Sequence, residues 1–512
     1  MIRKCTLIRQ LGFATLGICL ALSGAGCGAG PENQSATQSP AGQEEASREG
    51  ISGETAPGET ASGESVSGET APGETASGEN VSGETAPGET ASGENVSGET
   101  APGEIASGEN ISEETMSEET TPDAELSEED LYWQQVLSEF SDSPYDLTAA
   151  LTEPALKDLC SDYFTLGVGI NGSTLENQTL NMPEYMAVAK RHFNSCTMSN
   201  LMKSAYILDQ QGSQKSVKEG DGSPVLSFAA IDPTLEWCQA NGMRMRGHTL
   251  VWHAQAPEWF FREGYEENGS YVDKETMLMR MESYIAQLMT HVQDEYPGVV
   301  YCWDVVNEAV DPDKGDRDSY FLCRTENDGT PNPWYETIGE DYVEMAFTYA
   351  RKYAAEDVKL FYNDFNTFQI PKRDAIYALC ASLKEKELID GIGMQGYWGV
   401  DYPTIGTLET TISKFGELDL EIHITELSVG VDKEDEKSFE RQGQRYGSIF
   451  MSLAKLDTEG GGNANITNVT FFGLIDHYRE GDTTNSRLFD GAFQPKPAFI
   501  KVKNMMNTIY NK

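Results

Sequence analysis

The sequence predicts an α/β protein, a closed (β/α)8 barrel of the TIM type preceded by a disordered acidic repeat linker. Three observations carry this prediction. Eight short apolar runs alternate with helical patterns within residues 131–512, a block of uniform composition. Polar residues gather where several runs end, as they do at the C-terminal mouth of a parallel barrel. The block is long, but it fits one barrel domain with insertions.

The order of the elements follows from hydrophobic periodicity. The strands are predicted at Phe164–Ile170, Phe193–Thr197, Met243–Trp252, Val299–Asn307, Val358–Asp364, Ile389–Gly396, Leu418–Leu427 and Asn468–Ile475. The helices are predicted at Pro183–His192, Pro233–Asn241, Lys274–Glu295, Trp334–Ala354, Lys372–Glu387, Thr404–Phe415, Glu436–Leu456 and Pro497–Tyr510. A further helix within 131–160 is expected to close the barrel bottom, and 212–224 and 457–467 are predicted as surface loops.

Residues 1–27 have the features of an export signal. A basic start precedes the apolar stretch Leu11–Leu22, which is short for a membrane span, and small residues then lead to Cys27. The segment resembles a bacterial lipoprotein signal, although Gly24 stands where that family usually has Leu. The resemblance implies lipidation of Cys27. The alternative is an ordinary cleaved signal with Cys27 incidental.

Residues 28–130 contain a 15-residue unit that begins at Ser52 and restarts at Ser67, Ser82 and Ser97. The unit has almost nothing apolar to bury, so we expect a disordered, extended linker. Its function is either to tether the barrel away from a surface or only to confer solubility. The net charge of −46 argues against a nucleic-acid partner.

We expect neither a metal nor an organic cofactor. The cysteines of the barrel block show no metal-ligand spacing, and the sequence does not select a disulfide pair. The acidic segment Asp311–Asp316 hints at a calcium loop, but Leu322 stands where a bidentate Glu would be needed.

Two carboxylates indicate the chemistry. Glu308 directly follows the fourth predicted strand, and Glu426 stands near the end of the seventh. Glycoside hydrolysis requires at least two carboxyl groups, and strand ends of one barrel can bring them together. One gives a proton, and the other attacks the sugar or activates water. The alternative is a structural pair of strand-end carboxylates in an ion-pair network.

Other polar and aromatic side chains stand at the same strand ends. His248 and Trp252 suit a sugar, whose apolar faces stack on indole and whose hydroxyls need hydrogen bonds. Asn200 and Lys203 follow the second strand, and Gln395 stands near the end of the sixth. Taken singly, each has a structural explanation. The polar end of Phe361–Asn366 is placed to orient the two glutamates.

The stretches Trp303–Ala309, Arg246–His253, Gly391–Gln395 and Ile424–Leu427 together resemble glycoside hydrolase family 10, the retaining endo-β-1,4-xylanases. Phe361–Asn366 and the closing Leu488–Asp490 and Pro495–Phe499 also match, so the resemblance runs from about residue 150 to 512. It implies a (β/α)8 barrel with Glu308 as acid/base and Glu426 as nucleophile. It also implies subsites lined by Asn200, Lys203, His248, Trp252, Asn307 and Gln395.

The chain departs from the family pattern at several positions. Tyr397 stands where the family usually has a His that contacts the nucleophile, and Phe472 stands where it has a Trp. Both are predicted to line the substrate site. Ser199 replaces the usual Glu before Asn200, and the Ser-Trp expected within Asp476–Glu480 is absent. These changes put substrate preference and turnover in question more than the fold.

The resulting hypothesis is an exported, lipid-anchored, monomeric retaining endo-1,4-β-xylanase acting on xylan or xylo-oligosaccharides. It would contact a membrane only through its anchor. One alternative is a non-catalytic or weakly active surface xylan-binding protein. The other is a retaining hydrolase of another β-linked glycan.

Overall fold

Eight parallel strands close into a barrel, which confirms the predicted fold. They are β1 (Thr165–Ile170), β2 (Ser195–Met198), β3 (Arg244–Trp252), β4 (Val300–Asn307), β5 (Lys359–Asp364), β6 (Gly391–Met394), β7 (Glu421–Val429) and β8 (Asn465–Phe471). Each strand pairs with the next. The barrel closes where β8 pairs with β1, with Thr165 opposite Asn468.

The computed structural model describes residues 127–326, 329–479 and 481–510. The predicted export signal and nearly all of the predicted linker therefore lie outside the described residues. Within them, no helix is long and apolar enough to cross a membrane. No cluster of His, Cys, Asp or Glu in these ranges could hold a metal ion.

Large side chains on the barrel strands pack against glycines of neighbouring strands. Trp303 on β4 is fully buried and lies against Gly247 on β3, where an added Cβ would collide with the indole ring. Gly391 on β6 makes the same room for the ring of Phe361. These glycines are needed for close packing between strands.

The barrel helices alternate with the strands. Their bounds are Pro183–His192, Asp232–Asn241, Lys274–Glu295, Pro333–Ile338, Tyr342–Tyr353, Ile370–Glu385, Ile405–Gly416, Glu436–Leu456 and Pro497–Tyr510. The prediction of one helix at Trp334–Ala354 was wrong. Gly339 has a φ of 88°, and it divides this stretch into two helices.

Two predicted loops also need correction. The range 212–224 was predicted as a loop, but Gln210–Glu219 is a helix. Its polar sequence has no apolar periodicity, and the helix is started by Asp209, whose side chain caps Gly212 N at 3.1 Å. The range 457–467 was also predicted as a loop, but β8 already begins at Asn465.

Three helices, rather than the one predicted, precede β1: Glu128–Glu139, Thr148–Thr152 and Leu156–Leu159. His192, at the end of its helix, ties the second and third of these helices to the barrel bottom. Its Nδ1 accepts from Leu156 N at 3.3 Å, and its Nε2 donates to Ala150 O at 2.7 Å. Burial lowers the pKa of His192 to about 3, so the ring is held neutral.

The six cysteines of the described residues are free and buried. Cys196 on β2 and Cys238 on the next helix approach each other most closely, with 3.3 Å between their sulfurs. Cys160 and Cys380 act as small apolar side chains in the core, whereas Cys323 donates to Thr325 O at 2.7 Å and Cys302 accepts from Arg246 Nη1 at 3.5 Å.

Candidate active site

The backbone places two glutamates at the C-terminal mouth of the barrel. Glu308 directly follows β4 and has a φ of +55°, a conformation that non-glycine residues adopt only where the surroundings hold it. Its N–H donates to Asn363 O on β5 at 2.9 Å. Glu426 lies within β7, and its N–H donates to Gln395 O at 2.7 Å. Bonds to neighbouring strands thus fix both backbones.

Glu308 accepts one hydrogen bond at each carboxyl oxygen. Gln395 Nε2 donates to Oε1 at 2.6 Å, and Trp252 Nε1 donates to Oε2 at 3.0 Å. The donors come from β3 and from the end of β6, on either side of β4 in the barrel. They hold the carboxyl group in one orientation within the mouth.

Glu426 is 5% exposed and also has a donor at each oxygen. Asn363 Nδ2 donates to Oε1 at 3.1 Å, and the Tyr397 hydroxyl donates to Oε2 at 2.7 Å. Burial raises the pKa of Glu426, and the charge of Glu308 adds to this effect. His248 and the Tyr397 hydrogen bond act in the opposite direction.

Asn307 lies between the two glutamates. Its Oδ1 accepts from Asn363 Nδ2 at 2.9 Å and from Gln395 Nε2 at 3.4 Å. The Asn363 amide is itself oriented by Thr425, whose hydroxyl donates to Asn363 Oδ1 at 2.7 Å. These contacts orient the Asn307 amide so that its N–H groups are available to a ligand.

A buried charge network supports the mouth from below. Asp304 pairs with Arg246, whose Nε donates to Oδ2 at 3.0 Å, and with His248 Nδ1 at 2.9 Å. Burial alone would raise the pKa of Asp304, but Arg246 and His248 outweigh it and the pKa is lowered. His423, predicted as a supporting residue, accepts from Arg246 Nη1 at 2.6 Å because burial lowers its pKa to about 4.

Lys203 and Asn200 lie at the end of β2. Lys203 Nζ donates to Gln255 Oε1 at 2.7 Å and to Asn200 Oδ1 at 3.3 Å. The ammonium lies 4.6 Å from the ring centroid of Trp252. It therefore connects the β2 end to the indole that holds Glu308.

Tyr397 and Phe472 form one wall of the mouth. Their ring centroids are 6.1 Å apart and the ring planes are 85° to each other. Tyr397 is 38% exposed, whereas Phe472 is buried. The structure thus gathers the predicted site residues at one face of the barrel, except Cys27, which lies outside the described residues.

The sequence analysis missed Gln255 and Arg487 as members of this region. Gln255 follows β3 outside any motif, and its φ of +50° turns it toward Lys203. Arg487 lies on the long connection after β8 and reaches Ser428 on β7. The signal in the sequence was that the Ser-Trp pair expected within Asp476–Glu480 is absent, which indicated that this connection is unusual.

Comparison with known proteins decides the family. The family model described as "Glycosyl hydrolase family 10" matches residues 155–505. This chain belongs to glycosyl hydrolase family 10. It is therefore a glycoside hydrolase, as predicted, and the two glutamates occupy the mouth of a family 10 barrel.

The similarity between this family 10 chain and its relatives covers different shares of each relative's length. A "Putative endo-1,4-beta-xylanase" of Caldicellulosiruptor saccharolyticus is 44% identical over 309 residues, which is 58% of this chain and 95% of that protein. "Endo-1,4-beta-xylanase B" of Butyrivibrio fibrisolvens is 40% identical over 354 residues, 68% of this chain and 52% of that protein. This chain thus spans about half the length of the second relative.

A solved structure shows the same fold. It is the endo-1,4-beta-D-xylanase 10B of Clostridium thermocellum, with CBM22-1 and GH10 modules in complex with xylohexaose. The sequences are 33% identical, with a TM-score of 0.62, over 69% of this chain and 67% of that one.

Proposed function

We propose that the protein is an endo-1,4-β-xylanase that hydrolyses internal β-1,4 bonds of xylan with retention of configuration. The observation that carries this proposal is that Glu308 and Glu426 lie at one barrel mouth, each with both oxygens hydrogen-bonded. The names of the relatives and the xylohexaose bound in the similar structure support xylan as the substrate.

In the first step Glu308 gives its proton to the glycosidic oxygen, and the leaving sugar departs with that proton. A carboxylate oxygen of Glu426 attacks the anomeric carbon, which forms a glycosyl ester. In the second step Glu308 takes a proton from water. The resulting hydroxide attacks the same carbon, and Glu426 leaves as a carboxylate. Two inversions give retention.

Asn307 contributes to both steps. Its amide orientation is fixed by Asn363 and Gln395, so its N–H groups can donate to the 2-hydroxyl of the sugar attached to Glu426. A hydrogen bond to this hydroxyl strengthens as positive charge develops on the sugar ring.

The test is reducing-sugar release from xylan by the purified full chain beside Glu426→Ala and Glu308→Ala. We expect release by the parent and its loss, by on the order of 10^4-fold or more, in Glu426→Ala. Glu440→Ala, which changes a surface glutamate paired with Lys501, is the matched control and should keep full activity. NMR of the first product should show the β-anomer, and an initial α-anomer would contradict retention.

Tyr397 and Phe472 favour a second candidate, a weakly active xylan-binding protein. Both residues depart from the family pattern next to the nucleophile. Retained xylan binding without release by the parent chain would select this candidate. Release from another β-glycan, with none from xylan, would select the hydrolase alternative.

The cellular location is a separate proposal. The sequence of residues 1–27 supports export with a lipid anchor at Cys27, followed by the acidic linker as a tether. Incorporation of labelled fatty acid into the parent but not into Cys27→Ala is the expected result. Labelling of both would exclude Cys27 as the anchor. Sedimentation of the purified chain tests the predicted monomer.

A further inference from the structure

The guanidinium of Arg487 lies at the barrel mouth, where three strands end side by side. Its Nη1 donates to Ser428 Oγ on β7 at 2.7 Å. A Cβ built on Gly473, just after β8, would lie 2.7 Å from Arg487 Nε and 2.6 Å from Asn171 Oδ1, which follows β1. Gly473 therefore leaves the space that the guanidinium occupies, between the ends of β7, β8 and β1.

This guanidinium is close to the chemistry. Ser428 lies two residues after Glu426 on β7, so the two side chains point to the same side of the strand, roughly 7 Å apart along it. Tyr397 stands beside Ser428 in the strand register and donates to Glu426. The charge of Arg487 also lowers the pKa of Tyr397, against the larger effect of burial, so the guanidinium and the hydroxyl are neighbours.

Arg487 is a nearly buried cation whose charge acts on Asp476 without a salt bridge between the two side chains. It is only 9% exposed, and no carboxylate within residues 127–326, 329–479 and 481–510 forms an ion pair with it. The nearest candidate, Asp476, is already paired with Lys496 at 2.5 Å. Asp476 accepts only the backbone N–H of Arg487, at 2.9 Å. A nearly buried guanidinium without a salt bridge favours the binding of an anionic ligand.

The position of Arg487 relative to the cleaved bond follows from the roles of the glutamates, and so rests on the proposed function. The leaving sugar lies on the side of Glu308 and β4. The sugar that stays attached to Glu426 lies on the side of β7, where Arg487 donates to Ser428, two residues after Glu426. Arg487 therefore borders the retained, or glycone, side.

The same side has lost an acidic group. Ser199 stands where the family usually has Glu, and its hydroxyl lies 3.5 Å from Gly172 O, next to Asn171. Arg487 thus places a cation on this side, and Ser199 adds no opposing charge. The local charge favours a negatively charged sugar substituent.

We propose that Arg487 is a specificity-determining residue that binds the carboxylate of a uronic acid carried by a sugar on the glycone side. The planar guanidinium matches a carboxylate with two parallel N–H···O bonds. The preferred substrate would then be an acidic, uronic-acid-substituted xylan.

The test compares three xylo-oligosaccharides of equal backbone length: unsubstituted, substituted with one glucuronic acid, and substituted with its methyl ester. The ester has nearly the same shape but no charge. For the parent chain we expect kcat/KM to be about tenfold higher for the free acid than for the ester. Mass spectrometry should find the uronic acid on the product that carries the new reducing end. Equal values for acid and ester would overturn the proposal without any variant.

The variant Arg487→Met should bring the ratio of kcat/KM for acid to kcat/KM for ester close to one. Arg441→Met, which removes a surface arginine paired with Asp401, is the control and should keep the parent ratio. An equal fall of Arg487→Met on all three substrates would show a structural role and overturn the proposal.

If the chain does not hydrolyse xylan at all, the experiment gives a result that differs from those above. In that case the parent would not cleave the unsubstituted oligosaccharide. Calorimetric binding of the same acid and ester to the parent would then decide on Arg487. Tighter binding of the acid supports the charge recognition, and equal binding refutes it.

Discussion

The hydroxyl of Tyr397 donates a hydrogen bond of 2.7 Å to Oε2 of Glu426. Burial raises the pKa of this tyrosine well above its usual range, so the phenol stays neutral and acts only as a donor. An imidazole at this position, as the family usually has, could change its charge with pH. In this chain Glu426, the proposed nucleophile, has a partner of constant charge.

The first prediction concerns this bond. Burial raises the pKa of Glu426 and the Tyr397 hydrogen bond lowers it, so Tyr397→Phe should raise it further. A smaller fraction of Glu426 is then ionised at acid pH. The acid limb of the kcat/KM profile should therefore move to higher pH, and kcat should fall by about tenfold. Tyr402→Phe, at an exposed tyrosine, is the control. An unmoved acid limb would mean that this bond does not tune the nucleophile.

The second prediction concerns the buried pair of Asp304 and Arg246. Asp304→Asn leaves the Arg246 cation buried with a neutral partner, so the free energy of unfolding should fall by about 3–5 kcal/mol. Asp341→Asn removes an exposed pair with Lys274 and should cost at most about 1 kcal/mol. Guanidinium chloride unfolding measures both, and similar losses would contradict the argument.

The third prediction uses the neutral His192. Its folded-state pKa of about 3 lies below the value of about 6.5 in the unfolded chain, so the unfolded state binds more protons below pH 6.5. The contribution of neutral His192 to the free energy of unfolding is therefore complete above pH 6.5. It falls by about 1.4 kcal/mol per pH unit as the pH decreases toward 3.

The check on His192 is the variant His192→Gln, which retains a donor and an acceptor but does not titrate. We expect a lower free energy of unfolding at neutral pH and a shallower decline between pH 6.5 and 4. His423, also buried and neutral, remains in the variant and keeps part of the decline. An unchanged slope would show that His192 is not a source of the acid sensitivity.

The fourth prediction concerns Lys203. Lys203→Met removes the ammonium that joins Asn200, Gln255 and the ring of Trp252. If this group binds sugar hydroxyls, KM for xylo-oligosaccharides should rise about tenfold with a smaller change in kcat. Steady-state kinetics separate the two. Lys215→Met, on an exposed helix, should leave both unchanged.

Sequence patterns predicted the barrel because its strands are buried apolar runs, and they predicted Glu308 and Glu426 because strand ends are recognisable. The helix Gln210–Glu219 was missed because its polar sequence has no apolar face. Gly339 lies within the stretch predicted as one helix, Trp334–Ala354, but its positive φ ends the first of two helices there. Gln255 and Arg487 act through contacts with side chains far along the chain. No local pattern could reveal them.

The closing pair of β1 and β8 joins segments about 300 residues apart, as the bond from Asn468 to Thr165 across 303 positions shows. Such long-range pairing forms slowly, because the loop entropy must be overcome first. During synthesis, Glu308 and its donors Trp252 and Gln395 are available before β8 exists. Phe472 and Arg487, which follow β8 in the chain, come last. Under the roles proposed above, the part of the cleft around Glu308 is thus synthesised before Arg487, and a chain interrupted before β8 would lack the proposed selection for acidic substituents.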